Sequence, residues 1–366
     1  MPGRELFARY DPVPLPASLP PLLAVVVDTE EEFDWSAPFS RGATSVTAMR
    51  GQERAQRLLE RYRLAPTYAV THPVATQPDG YRPLQEFQAD GACAIGAHLH
   101  PWVTPPFDEP VTDRTSIAGN LAAPLERAKL ARLTDVIADR FGRRPVLYKA
   151  GRYGLGPSTE GTLERLGYLI DASVLPGADL RHQHAADFRR LDARPHRIGR
   201  DSPLLELPAT AGFAGRLAGT GLPPRVPARG RAARITRSLL SRAGLIERIT
   251  LTPEGVDHAA HRRLLRALIT RGQRVFTLSY HSPSLVPGHT PYVRSAADLD
   301  RFLGTLERTL DHVMGDLGGR PTTPEAVLML ARTCAPHLGL PDPLAPDHDA
   351  EGLGQDREVE RQAPVL

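Results

Sequence analysis

Short apolar runs alternate with amphipathic segments through the first half of the chain. The first run, residues 22–27 of "PPLLAVVVDTEEEFDW", is rich in valine and is followed at once by carboxylates, which is typical of a buried parallel strand. Apolar runs predict further strands within 65–74, 92–100, 145–151 and 168–174. Helical spacing of apolar residues predicts helices within 51–64, 81–91, 121–142 and 158–167. Repeated strand–helix units of this kind predict a parallel sheet, either open or closed into a barrel.

The regular alternation weakens after Pro176. Residues 204–215 predict a strand and a loop, and 222–248 form a proline-led basic segment that turns helical. A helix at 258–272, a strand at 273–281 and a long helix at 296–316 follow. We therefore expect an extension at 1–20, one domain at 21–330 with an irregular insertion at about 177–250, and a flexible tail at 336–366 that is rich in Pro, Asp and Gly.

Charge and cysteine content exclude several classes of function. A formal net charge of +3 over 366 residues is too small to indicate a nucleic-acid partner or an anionic membrane surface. Cys93 and Cys334 form no CxxC motif, so neither a redox motif nor a thiolate zinc site is expected. The sequence has no window typical of a signal peptide or a transmembrane helix, and we expect a cytoplasmic protein. These features predict no particular oligomeric state.

Ionisable residues follow five of the predicted strands. They are Asp28 and Glu30, His98 and His100, Arg152 with Tyr153, Asp171, and His281. Active sites of parallel α/β folds lie at the carboxyl ends of the strands, so these residues together indicate an enzyme. His98 and His100 share one face of an extended strand and could either bind a metal ion or make ordinary hydrogen bonds.

In order and local context these motifs resemble the polysaccharide deacetylase family, the homology domain of chitooligosaccharide deacetylases, and specifically its WalW-like branch. The resemblance runs from about Leu22 to Gly315. It implies a distorted (β/α) barrel and a bound divalent metal, and the chemistry it implies is hydrolysis of N- or O-acetyl groups on sugars.

The first two motifs imply a base and a metal site. In "VVVDTEEEF", Asp28 matches the family's base, but Thr29 occupies the position of the usual aspartate ligand, so we expect Glu30 to supply the carboxylate. In "AIGAHLHPW", His98 matches the first histidine ligand, and His100 replaces a second one whose usual position holds Trp102. Trp102 then forms a wall for a sugar ring or packs in the core. The neighbours of Glu30, Glu31 and Glu32, are expected to start a solvated loop.

The remaining motifs imply the other reacting groups. In "KAGRYGLG", Arg152 matches the arginine that orients the base and Tyr153 the aromatic whose backbone N–H helps to hold the oxyanion. Lys149 is expected to face solvent, with a substrate contact as the alternative. Asp171 in "DASV" is expected to pair with Arg152 or with the acid histidine, or alternatively to cap the turn after its strand. In "LSYHSPSLVPGHTPY", His281 matches the general acid, and Ser282 and His289 lie in a loop that we expect to bind substrate, with a structural role as the alternative for His289.

This resemblance implies a metal-dependent hydrolase that removes acetyl groups from a sugar or glycan precursor, with zinc as the expected metal. Two alternatives stay open. One is a hydrolase of a small non-sugar amide or cyclic ureide, possibly metal-free, because a fold does not fix its substrate. The other is a non-catalytic, glycan-binding descendant.

Overall fold

The computed structural model describes residues 6–7, 9–199, 203–217 and 245–343, and a mainly parallel sheet with an antiparallel edge organises them. Its strands are β1 (Asp11–Pro12), β2 (Leu22–Thr29), β3 (Thr67–Val70), β4 (Ala94–Leu99), β5 (Leu147–Ala150), β6 (Ile170–Asp171), β7 (His196–Ile198), β8 (Leu204–Glu206), β11 (Val275–His281) and β12 (Arg320–Pro321). The spatial order is β1-β7-β8-β6-β5-β4-β3-β2-β11, with β12 beside the start of β2. A separate antiparallel pair joins β9 (Ala211–Ala214) to β10 (Glu247–Thr250).

Helices cover the sheet between these strands. They are α1 (Gln52–Arg61), α2 (His72–Thr76), α3 (Pro78–Ala89), α4 (Ala123–Phe141), α5 (Thr159–Arg165), α6 (His258–Thr270), α7 (Ala296–Asp311) and α8 (Pro324–Cys334). Local sequence sets their ends: Asp257 caps α6 by accepting a hydrogen bond from the backbone N–H of Ala260, and Gly142 ends α4 in the left-handed conformation.

Strand alternation divides the core into two layers. Val26, Leu147, Ile170 and Val275 face inward and pack against α8, whereas the alternate residues of the same strands pack against the outer helices. Leu147, Ile170 and Val275 begin their strands, so α8 seals the amino-terminal end of the sheet. The carboxyl end is left for polar side chains.

The sheet curves towards closure at its carboxyl end. No continuous ladder joins β8 to β11 in the described chain, but the backbone N–H of Thr210, shortly after β8, donates to the Thr277 carbonyl of β11 across that opening. The result is the distorted (β/α) barrel that was expected from the sequence.

The folded domain extends beyond the limits of 21 and 330 that the sequence predicted. β1 in the expected extension pairs with β7, and α8, which the hydrophobic pattern did not indicate, runs past residue 330. The helix expected within 222–248 falls mostly outside the described residues, as does the tail beyond 343. No helix in the described part of the chain is long and apolar enough to cross a membrane.

Candidate active site

The carboxyl ends of the inner strands open into a cavity of about 650 Å³. The register of the parallel strands brings the polar groups to the same level in the cavity. His281 lies opposite Asp28, and His98 lies opposite Lys149, in adjacent strands. The ionisable side chains that line the cavity are Asp28, Glu30, Asp34, His98, His100, Lys149, Arg152, Tyr153, Glu254, Tyr280, His281 and Tyr292. A volume of this size accommodates a small molecule or a short stretch of a chain.

Glu30, His98 and His100 form a compact group of buried ligand atoms. Glu30 Oε2 lies 3.6 Å from His98 Nε2 and 3.4 Å from His100 Nε2. The other nitrogen of each ring is already engaged, since His98 Nδ1 lies 3.0 Å from the Lys149 carbonyl and His100 Nδ1 lies 2.7 Å from Glu31 Oε1. Outer contacts of this kind orient metal-binding histidines and present their Nε2 atoms to an ion.

Gly151 makes room for the second histidine. A Cβ atom at this position would lie 2.4 Å from His100 Cδ2 and 2.6 Å from the Leu99 carbonyl oxygen, far inside van der Waals contact. Only glycine allows the backbone after β5 to pass so close to the imidazole ring. The sequence "KAGRY" therefore supports the position of His100 as well as contributing its own side chains.

These residues fit a divalent metal ion. Glu30 Oε1 is buried without a hydrogen-bond partner among the described residues, and both imidazole Nε2 atoms point towards the same carboxylate. One carboxylate and two imidazoles form a ligand set that suits zinc and similar ions and leaves coordination positions open. Thr29, at the position of the family's aspartate, instead donates its hydroxyl to the Val27 carbonyl, 3.1 Å away.

Asp28 lies beside this group and is ion-paired with Lys149. Burial disfavours the charged form of Asp28, but the positive charges of Lys149, His98 and His281 outweigh it and lower the pKa of the carboxyl. Lys149 is buried, so the expectation that it faces solvent was wrong. Lys149 lies two residues after Leu147 in β5 and therefore shares its inward face, so the lysine side chain enters the cavity.

Arg152 does not make the contact with Asp28 that the resemblance implied. Its guanidinium donates to the Asp113 carbonyl and the Ser116 hydroxyl and lies over the Phe39 ring. The residue adopts a left-handed backbone (φ 57°) in the turn after β5, which directs the side chain to the wall of the cavity rather than to its floor. Lys149 thus takes the position beside Asp28 that was expected for Arg152.

His281 is paired with a glutamate that sequence reasoning missed. Its Nδ1 lies 2.7 Å from Glu254 Oε2, and its Nε2 lies 3.7 Å from Asp28 Oδ2. Burial favours the neutral imidazole, but the charges of Glu254, Glu30 and Asp28 prevail and raise the pKa of His281 to about 10. Glu254 follows β10 in "LTPEGVD", and its carboxylate shortly after a strand end was a usable signal just beyond the region expected to be an insertion.

Asp171 lies outside the cavity and pairs with neither Arg152 nor His281. It alternates with the inward-facing Ile170 and Ala172, so its side chain is on the opposite face of β6, where Ser173 donates to it and Glu206 is its acidic neighbour. Burial raises the pKa of Asp171 to about 6, and burial together with the Asp171 charge raises the pKa of Glu206 well above its usual range.

The expected substrate-binding residues are mostly inside the protein. Trp102 is 1% exposed and stacks behind His100 with ring centroids 4.2 Å apart, so it is packed in the core rather than forming a sugar wall. Ser282 is fully buried, and its hydroxyl accepts a hydrogen bond from the Glu30 backbone N–H. His289 lies 3.5 Å from Glu32 and does not line the cavity. Tyr153 lines it as expected.

Glu31 also differs from its expectation. It is fully buried and holds His100, whereas Glu32 is partly exposed and accepts hydrogen bonds from Ser45 and Thr47. The side chains of these two neighbouring glutamates point in different directions after β2, so they have different surroundings. The three consecutive carboxylates therefore have three different sets of partners.

The sequence matches no protein-family model and no curated protein. Solved structures share the fold at low sequence identity. A protein from Mycobacterium smegmatis that is named as a polysaccharide deacetylase is 17% identical with a TM-score of 0.52, and the match covers 93% of this chain and 99% of that one. Puue allantoinase is 14% identical with a TM-score of 0.51, and the match covers 90% of this chain and 95% of that one. A protein of Pseudomonas aeruginosa PAO1 that is also named as a polysaccharide deacetylase is 15% identical with a TM-score of 0.50, and the match covers 86% of this chain and 91% of that one. The chain therefore has the (β/α) barrel-type fold of these proteins.

Proposed function

We propose that this protein is a metal-dependent hydrolase that removes N- or O-linked acetyl groups from a sugar or glycan precursor, as a member of the WalW-like branch of the polysaccharide deacetylases. One observation supports this most strongly: the Glu30, His98 and His100 ligand atoms lie beside a carboxylate paired with Lys149 and an imidazole paired with Glu254. An acid, a base and a metal-ligand set in one cavity are the parts that acyl hydrolysis needs.

The metal of this proposal is one divalent ion, zinc by preference, with Glu30, His98 and His100 as its ligands. When bound, such an ion would polarise the acyl oxygen and lower the pKa of a coordinated water. The remaining chemistry belongs to side chains of the protein.

Asp28 is the proposed general base. Lys149 keeps this carboxylate ionised and fixed at the cavity floor, so it can accept the proton of an attacking water. His281 is the proposed general acid. It is held as an imidazolium by Glu254, and its Nε2 side faces Asp28, so it can give its proton to the departing nitrogen or oxygen.

Tyr153 and Arg152 have smaller proposed roles. Tyr153 lines the cavity next to Lys149, whose ammonium lies 5.7 Å from the ring centroid, and its backbone N–H is proposed to help hold the oxyanion. Arg152 is proposed to contact substrate from the cavity wall. The cytoplasmic location stays a prediction, which fractionation of expressing cells would test.

A contrast between two leaving groups tests the proposal. His281→Ala should reduce acetate release from an N-acetyl sugar by about 10²–10⁴-fold, since an amine leaves only when protonated, but should reduce release from an activated aryl acetate far less. His289→Ala is the matched control, because this histidine lies outside the cavity. Equal losses on both substrates would remove the acid role from His281. Absence of acetate release from every acetylated sugar, with zinc supplied, would contradict the proposed function.

A second candidate is hydrolysis of a small cyclic ureide. The absence of the second motif aspartate at Thr29 and the fold shared with an allantoinase favour it. Allantoin assayed beside the acetylated sugars distinguishes the two, because only this candidate predicts ring opening.

A further inference from the structure

Arg152 is a cation without a carboxylate partner in a cavity whose other cations are paired. Lys149 is ion-paired with Asp28, and His281 is paired with Glu254. The Arg152 guanidinium lines the same cavity and is half-buried, yet no carboxylate lies within ion-pair distance of it in the described part of the chain. Partial removal of a charge from water costs free energy unless an anion compensates for it. The cavity wall therefore offers a positive charge to a ligand.

The guanidinium is held in one orientation with half of its donors free. Its Nη1 donates to the Asp113 carbonyl, 3.3 Å away, and to the Ser116 hydroxyl, and the Phe39 ring centroid lies 4.8 Å from Cζ. Within the described residues, neither Nε nor Nη2 donates a hydrogen bond. These two nitrogens lie along one edge of the guanidinium, and such an edge matches two oxygens of a carboxylate or a phosphate.

The backbone at this position is unusual. Arg152 and the next residue, Tyr153, both adopt the left-handed conformation, with φ of 57° and 55°. Residues other than glycine are uncommon there, and consecutive ones occur where surrounding contacts hold them, frequently at binding sites. The turn after β5 thus directs the arginine to the wall although glycine would fit its backbone better.

Arg152 lies across the cavity from the proposed acid. Strand β5, which precedes it, is separated from β11 by β4, β3 and β2, and His281 ends β11. On the side of Arg152, the Phe39 ring packs on Trp102, which in turn stacks on His100. If His281 protonates the departing atom, an anionic group on Arg152 would lie beyond the metal-ligand atoms, away from that atom.

We infer that Arg152 binds a carboxylate or phosphate group of the substrate, so that this protein prefers an anionic acetylated sugar to a neutral one. The reaction in this inference rests on the proposed function, whereas the anion contact rests on the free edge of the guanidinium. The acidic residues of the lining that remain, Glu30 and Asp34, do not neutralise Arg152. Glu30 faces the two histidines, and Asp34 accepts hydrogen bonds from Ser36.

Binding of small sugars tests the anion contact without turnover. The probes are glucuronate, glucose-6-phosphate and glucose, which carry a carboxylate, a phosphate and no charge. They are titrated into the full-length protein, supplied with zinc, and followed by ligand-observed NMR at millimolar concentration. We expect an anionic probe to bind at least about tenfold more tightly than glucose, the scale of a hydrogen bond to a charged group. The tighter of the two anionic probes identifies the group that the substrate carries.

Arg152→Gln should weaken binding of the preferred anionic probe by about 10–100-fold and leave glucose binding unchanged. Arg152→Lys, which keeps the charge but not the planar pair of donors, should recover part of the loss. Arg114→Gln is the control, because this exposed arginine lies outside the cavity and close to Ser116 in the chain.

Equal affinities of the wild type for all three probes, or no binding of either anionic probe, would overturn the inference. Anion binding that is unchanged in Arg152→Gln would overturn it too, since the anion would then be held by the metal or by another cation. An equal loss of glucose binding in Arg152→Gln would show a structural role instead. Arg152-dependent anion binding without acetate release from any acetylated sugar would support the anion contact and contradict the proposed function.

Discussion

Two sets of buried carboxylates lie on neighbouring strands of the same sheet and have opposite surroundings. Asp28 and Glu30 are on the inward side of β2, where a lysine and three imidazoles face them. Asp171 and Glu206 are on the outward side of β6 and β8, where they face each other and no cation lies within ion-pair distance among the described residues. The positive charges lower the pKa of Asp28, whereas burial raises the pKa values of Asp171 and Glu206.

The difference follows from which face of a strand a residue occupies. Inward residues at the carboxyl end reach the cavity, whereas outward residues are sealed beneath the flanking structure. Opposite charge lowers the pKa of Asp28, and burial without a cation raises the pKa of Asp171 to about 6. Burial of an acidic group is thus a weak sign of function unless the group also reaches a cavity and a charged partner.

Asparagine substitution should separate the two sets most strongly. Asp28→Asn is expected to reduce turnover of an acetylated sugar by about 10²–10⁴-fold, because the amide cannot accept a proton. Bound metal should be retained, since Asp28 is not one of the proposed ligands. Asp171→Asn, the matched change in the sealed pair, should keep most of the activity. Circular dichroism of both variants would check folding, and similar losses of activity in both would contradict the distinction.

Glu31 and Glu32 provide a second comparison, for which we expect a smaller effect. Glu31→Gln removes the carboxylate that holds His100 Nδ1 and should weaken zinc affinity by about 10–100-fold. Glu32→Gln, whose side chain contacts Ser45 and Thr47 instead, should leave zinc affinity unchanged. Titration of zinc against a competing chelator measures both without any substrate. Equal affinities in the two variants would show that Glu31 does not support the metal ligand.

The sealed pair predicts a pH dependence of stability with a definite sign. The pKa of Asp171 rises from 3.8 to about 6 in the folded state, so the unfolded chain loses this proton first as the pH rises. Deprotonation therefore disfavours folding across this window, by about 3 kcal/mol at 1.4 kcal/mol per pKa unit. Urea unfolding of Asp171→Asn should show a smaller fall in unfolding free energy between pH 4 and pH 6 than the wild type. Identical profiles would contradict the raised pKa of Asp171.

Local pattern was sufficient to predict the repeated strand–helix units and part of the candidate site, whereas the barrel was implied by the family resemblance. The apolar run before Asp28 and the two-residue spacing of His98 and His100 are local features, and both predict an inward direction at a strand end. His281 ends a strand in the same way, directly opposite Asp28. These predictions needed only the period of a strand and the rule that parallel strands end at one edge.

The partners of these residues could not be predicted in the same way. Lys149 meets Asp28 across 121 residues of sequence and Glu254 meets His281 across 27, so no local pattern records either contact. Arg152 is directed away by a left-handed turn, and Asp171 faces outward because its neighbours Ile170 and Ala172 belong to the inner core. The register between strands, and the face of the sheet on which a side chain lies, are set by packing, which a single sequence specifies only indirectly.

The metal content of the purified protein tests the central claim most directly. Wild-type protein prepared without chelator, or supplied with zinc and then desalted, should contain about one divalent ion per chain by mass spectrometry. The His98→Ala, His100→Ala double variant should fold, as judged by circular dichroism, and contain almost none. Stoichiometric metal in the double variant, or a wild-type protein that takes up no divalent ion, would contradict the claim that Glu30, His98 and His100 form a metal site.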